Sequence, residues 1–186
     1  EFGECERAGL KGRLGIPASA AVIGGVFRLV PQKQPFLWID SVACIAKELP
    51  ESHFVLIGDG PMRQDLASRI RDLGLGNCVH LLGTQSELGA FYSAIDVVWP
   101  VPKAGGLASV LLEAKNAGVP VVCTNAGGNR EAVNDGITGL ICDESNPEKL
   151  GAMVKDAILD DDWMASATRA GPVWIRDRFS AQKLAE

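Results

Sequence analysis

The chain is poor in the residues from which many active sites are assembled. It has two histidines, His53 and His80, in 186 residues, too few imidazoles to suggest a dedicated metal centre. Five cysteines, Cys5, Cys44, Cys78, Cys123 and Cys142, are odd in number and form no C-x-x-C pair. They read as buried, reduced thiols rather than as a disulfide framework, and three of them fall in apolar runs of strand type. No apolar run approaches the ~20 residues of a membrane span and no leader pattern is recognised, so a cytoplasmic location is expected. Positive charge is in deficit: 18 Lys and Arg against 23 Asp and Glu leave a net charge of −5. That argues against a broad nucleic-acid footprint, while leaving room for a local basic pocket suited to phosphates. Arg28 and Lys33 are the candidates for such a pocket.

What is present is ordinary for a globular protein: 47% hydrophobic and 22% charged residues, with abundant glycine and alanine of α/β type. A length of 186 residues fits one domain, with its core expected over about residues 14–179. The chain starts at Glu1 and stops at Gln182-Lys183-Leu184-Ala185-Glu186, inside a helical pattern. The expectation is a domain excised from a longer protein.

Apolar runs and their punctuation alternate. Glu4 to Leu14 reads as a helix closed by Gly15, and Ala20 to Val26 as the first strand. A helix follows from Pro35 to Leu49. Then come the strand Phe54 to Ile57, the turn Gly58-Asp59-Gly60-Pro61 and the helix Met62 to Leu73. Val79 to Leu82 and Val97 to Trp99 read as strands around a short helix, Glu87 to Ser93. Val119 to Cys123 and Gly139 to Cys142 are further strands, and Pro147 to Leu159 and Asp162 to Arg176 closing helices. Strands that are apolar throughout, alternating with helices, predict a doubly wound, Rossmann-like parallel sheet of about six strands covered on both faces.

The stretch Val97 to Val133 carries the chemistry. An apolar run is stopped by Pro100 and Pro102, and Gly105-Gly106 turns the chain into a helix beginning near Leu107-Ala108-Ser109. Free N–H groups and the positive end of a helix dipole, placed beyond a strand's carboxyl end, attract phosphate. Ser109 and Glu113 are four apart and so face the same side. The apolar neighbours Leu111, Leu112 and Ala114 predict that Glu113 is not fully exposed.

Six segments in order resemble the donor-binding half of retaining group 1 glycosyltransferases, which have the two-domain GT-B architecture. They are Phe27-Arg28-Leu29-Val30-Pro31-Gln32-Lys33, Ile57-Gly58-Asp59-Gly60-Pro61, Leu82-Gly83, Leu107 to Glu113, Gly118-Val119-Pro120-Val121-Val122, and Gly127-Gly128-Asn129-Arg130-Glu131 with Asp135 to Leu140. The resemblance implies that the domain binds a nucleotide-diphosphate sugar and presents it to an acceptor held by an N-terminal domain absent here. It implies that Arg28 and Lys33 hold the diphosphate and stabilise the leaving group, a cationic task that needs no metal. It also implies that Glu113 accepts hydrogen bonds from the ribose hydroxyls, and that Gly106, Leu107, Ala108 and Ser109 bring helix-end donors to the diphosphate. Gly58 and Gly60 either let the ligand approach the backbone or simply make a turn. The loop of Gly83 and Thr84 is expected near the base, Glu131 is expected to support its own turn, and the four tryptophans are expected in packing. A cytoplasmic enzyme of carbohydrate biosynthesis follows, without cofactor, with peripheral membrane association expected only through the missing domain.

Three positions depart from the family pattern. A second glutamate eight positions before Glu113 is replaced by Gly105, which puts donor-sugar contacts in question. Phe27 stands where a glycine usually precedes the arginine, and Gln34 where one usually follows the lysine. The alternatives are a catalytically impaired nucleotide-sugar-binding or regulatory module, and another GT-B reaction such as epimerisation or phosphorolysis. A dehydrogenase is disfavoured, because Gly24-Gly25-Val26-Phe27-Arg28 is not G-x-G-x-x-G and no Walker A sequence occurs.

Overall fold

The computed structural model describes residues 4–105 and 109–179. Among them the strands are β1 Val22–Val26, β2 His53–Ile57, β3 Val79–Gly83, β4 Val97–Val98, β5 Val121–Thr124 and β6 Gly139–Cys142. The α-helices are α1 Glu4–Arg13, α2 Pro35–Glu48, α3 Arg63–Asp72, α4 Gly89–Ala94, α5 Ser109–Asn116, α6 Asn129–Ala132, α7 Pro147–Leu159 and α8 Asp161–Phe179. A 3-10 turn, Pro31–Lys33, precedes α2. All strands pair in parallel, in the order β3-β2-β1-β4-β5-β6. The expected doubly wound parallel sheet is what forms.

Element boundaries moved by a few residues for local reasons. The fifth strand begins at Val121 rather than Val119, because Pro120 has no N–H to give to a ladder. The last helix runs from Asp161 through Pro172 to Phe179, longer at both ends than expected. Cys123 and Cys142 lie in strands, whereas Cys44 is in α2 and Cys78 just precedes β3.

Two apolar layers flank the sheet. On one face Trp38, Ile39, Val42 and Ile45 of α2, Leu66 and Ile70 of α3, and Leu150 and Val154 of α7 pack on Ile23, Phe54 and Leu56. On the other, Phe91 and Tyr92 of α4 and Leu111 and Ala114 of α5 pack on Val22, Val55, Val98 and Val121. Alternate residues of each strand serve the two faces, so neither face is polar. The glycine pair in β1 makes this possible. A Cβ on Gly24 would stand 2.6 Å from the Phe91 ring, and one on Gly25 2.8 Å from the Phe27 ring. Both aromatic side chains therefore close onto the central strand. The buried indole of Trp38 donates through Nε1 to the carbonyl of Trp99 at 3.0 Å, which pins α2 to the segment leaving β4.

Candidate functional site

The strand order reverses between β1 and β4, so the chain leaving β1 and the chain leaving β4 diverge to opposite faces. A crevice opens between them at the carboxyl edge of the sheet, the place where ligands bind in open α/β folds. A cleft of about 220 Å³ lies there, lined by Val26 and Phe27 after β1, Lys33, the run Pro100-Val101-Pro102 after β4, and Ser109 and Val110 at the start of α5. Its walls are mostly apolar, and an ammonium group and a helix-end hydroxyl residue are set into them.

The two loops are tied to each other. Lys103 donates its backbone N–H to the carbonyl of Gln32 at 2.9 Å, and Gln34 donates through Nε2 to the carbonyl of Val101 at 3.0 Å. Gln34 holds a left-handed backbone, φ 51° and ψ 53°, so it takes the conformation suited to the glycine it replaces and uses its amide as a cross-link. Phe27 also departs from the family pattern, and its ring is buried edge-on to Trp38 with centroids 6.1 Å apart. Neither side chain blocks the loop; one bridges and the other goes down into the core.

The sequence candidates fall into three groups. Lys33 and Ser109 line the cleft together. Glu113 lies on α5 one turn beyond Ser109 and is exposed, contrary to the expectation from its apolar neighbours. The reason is helical phase: Leu111 and Ala114 point into the core, while Glu113 points away and accepts a hydrogen bond at Oε2 from the Tyr92 hydroxyl, 3.2 Å away. Arg28 is an exposed residue of the loop after β1 and is not among the cleft-lining residues. Gly106, Leu107 and Ala108 lie outside the described residues.

Gly58 and Gly60 make room for protein backbone. A Cβ on Gly58, at φ +135°, would stand 1.9 Å from the carbonyl oxygen of Phe27, and one on Gly60 2.6 Å from that of Leu29. The β2 turn thus lies directly against the basic loop, and Leu29 donates its N–H to the Asp59 carbonyl at 2.9 Å. Gly83 accepts the N–H of Gly58 at 2.8 Å, and Thr84 beyond it is exposed. Together the three loops form one continuous rim along the carboxyl ends of β1, β2 and β3.

Three residues were not foreseen. Arg63, at the start of α3, donates through Nη2 to the Leu81 carbonyl at 3.4 Å, while its Nη1 is buried without a hydrogen-bond partner. Its charge therefore stands close under Gly83, whose Cβ position is 3.7 Å from Nη1. Tyr92 is the chain's single tyrosine. A phenol inside an apolar helix needs a polar partner when buried, and that was the available signal. Lys115, on the inner side of α5, is fully buried with Nζ 3.6 Å from the centroid of the Trp174 ring. Trp38 and Trp99 are buried in the core, and Trp163 donates through Nε1 to the Gly136 carbonyl at 3.0 Å, so these tryptophans are occupied by packing and internal bonds.

Residues 7–173 match the family model described as glycosyl transferases group 1. The chain belongs to the group 1 glycosyltransferases. It is 38% identical over 128 residues to the Vi polysaccharide biosynthesis protein VipC/TviE of Salmonella typhi, covering 69% of this chain and 22% of that protein. It is 32% identical over 200 residues to a D-inositol 3-phosphate glycosyltransferase of Thermobispora bispora, covering all of this chain and 46% of that protein. This glycosyltransferase chain thus spans less than half the length of either relative. Among solved structures, Anabaena Alr3699/HepE in complex with UDP-glucose superposes with a TM-score of 0.87 at 28% identity, over 95% of this chain and 49% of that one. The C-terminal domain of the group 1 protein LpcC from Francisella tularensis has the same fold, with a TM-score of 0.81 at 20% identity. Among the described residues no helix is long and apolar enough to cross a membrane.

Proposed function

We propose that this chain is the donor-binding domain of a glycosyltransferase, holding a nucleotide-diphosphate sugar in the cleft between β1 and β4 for transfer to an acceptor carried by a second domain. The observation that carries the reading is the convergence of Lys33 and the Ser109 end of α5 on one cleft at the strand-order reversal. Alr3699/HepE, whose structure contains UDP-glucose, shares this fold over nearly the whole chain, which supports a nucleotide sugar as the ligand.

The chemistry follows from charge. When the bond between the anomeric carbon and the β-phosphate oxygen breaks, negative charge gathers on the departing diphosphate. Lys33, with Arg28 from the same loop, supplies fixed positive charge, and the α5 N-terminus adds its dipole. This arrangement needs no metal ion. Glu113 accepts hydrogen bonds from the ribose hydroxyls, while Gly83 and Thr84 border the base. Gly58 and Gly60 act through the basic loop they abut, and a diphosphate-contacting role for Gly106, Leu107 and Ala108 belongs to the same proposal. Retention of anomeric configuration and a cytoplasmic site, at a membrane face through the acceptor domain, belong to the same proposal.

Calorimetric titration with UDP, GDP and ADP tests it. One of the three binds, and Glu113→Ala weakens that nucleotide by more than about tenfold, the loss of hydrogen bonds to a charged group. Absence of binding by all three, or equal binding by the variant, rejects the assignment. The alternative of an impaired binding module rests on Gly105. Its backbone, at φ +151°, fits a loop built around glycine, so Gly105→Glu in the intact protein is expected to lower transfer; a large gain would instead indicate decay.

A further inference from the structure

Glu113 needs something to hold it. It is an exposed side chain on a helix surface, and a free glutamate there samples several rotamers, each costing entropy to fix when a ligand arrives. The structure supplies a partner from another element. Tyr92 lies on α4, which is anchored by Phe91 and Ile95 against Gly24 of β1, where a Cβ would stand 2.6 Å and 3.0 Å from them. Its ring is buried, meeting Phe91 edge-on with centroids 5.4 Å apart, and its hydroxyl reaches Glu113 Oε2 at 3.2 Å. Twenty-one residues of chain separate the pair; the fold brings them together on one face of the sheet.

We propose that Tyr92 is a positioning residue for the ribose grip: its hydroxyl fixes the Glu113 carboxylate by one oxygen and leaves the remaining acceptor sites for the vicinal hydroxyls of the nucleotide. This rests on the reading of Glu113 given above and extends it to a residue that does not touch the ligand. The direction of the bond is settled by chemistry, since a carboxylate only accepts and the phenol must donate. Burial, together with the neighbouring negative charge, pushes the Tyr92 hydroxyl well above its ordinary pKa. It therefore remains protonated, and so a donor, at neutral pH. The ring is fixed by packing at two χ angles, so the donor is pre-organised and the carboxylate adopts the geometry it dictates.

The test separates positioning from packing. Tyr92→Phe removes one oxygen and keeps the ring, and its thermal midpoint reports whether the core is intact. UDP, GDP and ADP are titrated into wild type and variant, each alongside its 2′,3′-dideoxy counterpart, which lacks both ribose hydroxyls. The expected result is that Tyr92→Phe weakens the ribonucleotide about five- to tenfold, the net value of one ordinary hydrogen bond, and leaves dideoxynucleotide affinity unchanged. In a Glu113→Ala background the same substitution has no further effect. Equal loss for both nucleotides, or no loss for either, overturns the inference while leaving the nucleotide reading standing. Failure of wild type to bind any ribonucleotide overturns both.

Discussion

The ammonium nitrogen of Lys33 lies 3.6 Å from the point where a Cβ on Gly105 would stand. A side chain at position 105 would therefore start beside the cation that lines the cleft. Gly105 also has φ +151°, a region that residues with a Cβ rarely occupy. Its carbonyl oxygen, in turn, would lie 1.8 Å from a Cβ on Gly127, itself at φ +55°. The turns after β4 and β5 are pressed together, backbone on backbone.

An order of stabilities follows. Gly105→Ala meets only the tip of Lys33, so its cost is backbone strain, about 1–3 kcal/mol. Gly127→Ala adds a collision with a carbonyl group that cannot move without unseating the loop, and is expected to lose more. Urea unfolding of the two variants checks this, and a more stable Gly127→Ala would contradict the packing. Gly105→Glu should also bind nucleotide more weakly than Gly105→Ala, because the added carboxylate competes with phosphate for Lys33. Equal affinity of the two variants would remove Lys33 from the diphosphate site.

How far the sequence led can be judged from such residues. The layers were legible because β2, β5 and the helices facing them carry uninterrupted or periodic apolar residues, and the parallel sheet follows from that pattern. Group 1 membership was legible from six ordered segments. The destinations of individual side chains were less so. Glu113 was expected to be shielded by Leu111, Leu112 and Ala114, but flanking residues on a helix point about 100° apart, so apolar neighbours in sequence do not enclose it. Gly58 and Gly60 could serve a ligand or a neighbouring loop, and only the fold shows that the carbonyls of Phe27 and Leu29 occupy the space. The Tyr92 to Glu113 bond, and the burial of Arg63 Nη1 beneath Gly83, depend on separate elements meeting, which no local pattern encodes.

The two histidines form a pair across neighbouring strands. His53 Nδ1 and His80 Nε2 are 3.1 Å apart, close enough for one ring N–H to donate to the other ring's lone pair. Burial lowers both pKa values below the ordinary 6.5; Lys11 adds to this at His53 against the opposing pull of Glu51, and His53 adds to it at His80. As pH falls below about 6.5 the unfolded chain takes up protons that the folded pair refuses, so stability declines with acidity. His80→Gln should flatten that decline, narrowing the difference in urea midpoint between pH 8 and pH 5. An unchanged difference would assign the acid sensitivity to other groups.

Lys115 provides the opposite end of the pH range. Its side chain is fully buried between α5 and α8, with Nζ lacking a hydrogen-bond partner and facing the Trp174 ring at 3.6 Å. The helices are in close contact there, since a Cβ on Gly171 would stand 2.9 Å from the Lys115 carbonyl oxygen. Burial lowers the amine to about 7, with Arg178 pushing the same way and Cys123 opposing. An unfolded lysine titrates near 10.5, so between pH 7 and 10.5 the unfolded state binds a proton that the folded state lacks. Stability should therefore rise with pH across that window, by at most about 1.4 kcal/mol per unit, and be fully reduced below pH 7. The indole face offsets part of the cost by attracting the charged form. Lys115→Met, which keeps the apolar stem and removes the amine, is expected to stabilise the protein by ~1–3 kcal/mol at pH 6, the cost of a buried polar group without a partner. The gain should be smaller at pH 10.5, where the buried amine is neutral and only its missing hydrogen-bond partner still costs. Chemical denaturation at both pH values measures it, and a variant that is less stable at pH 6 would show that the contact with Trp174 outweighs the burial of charge.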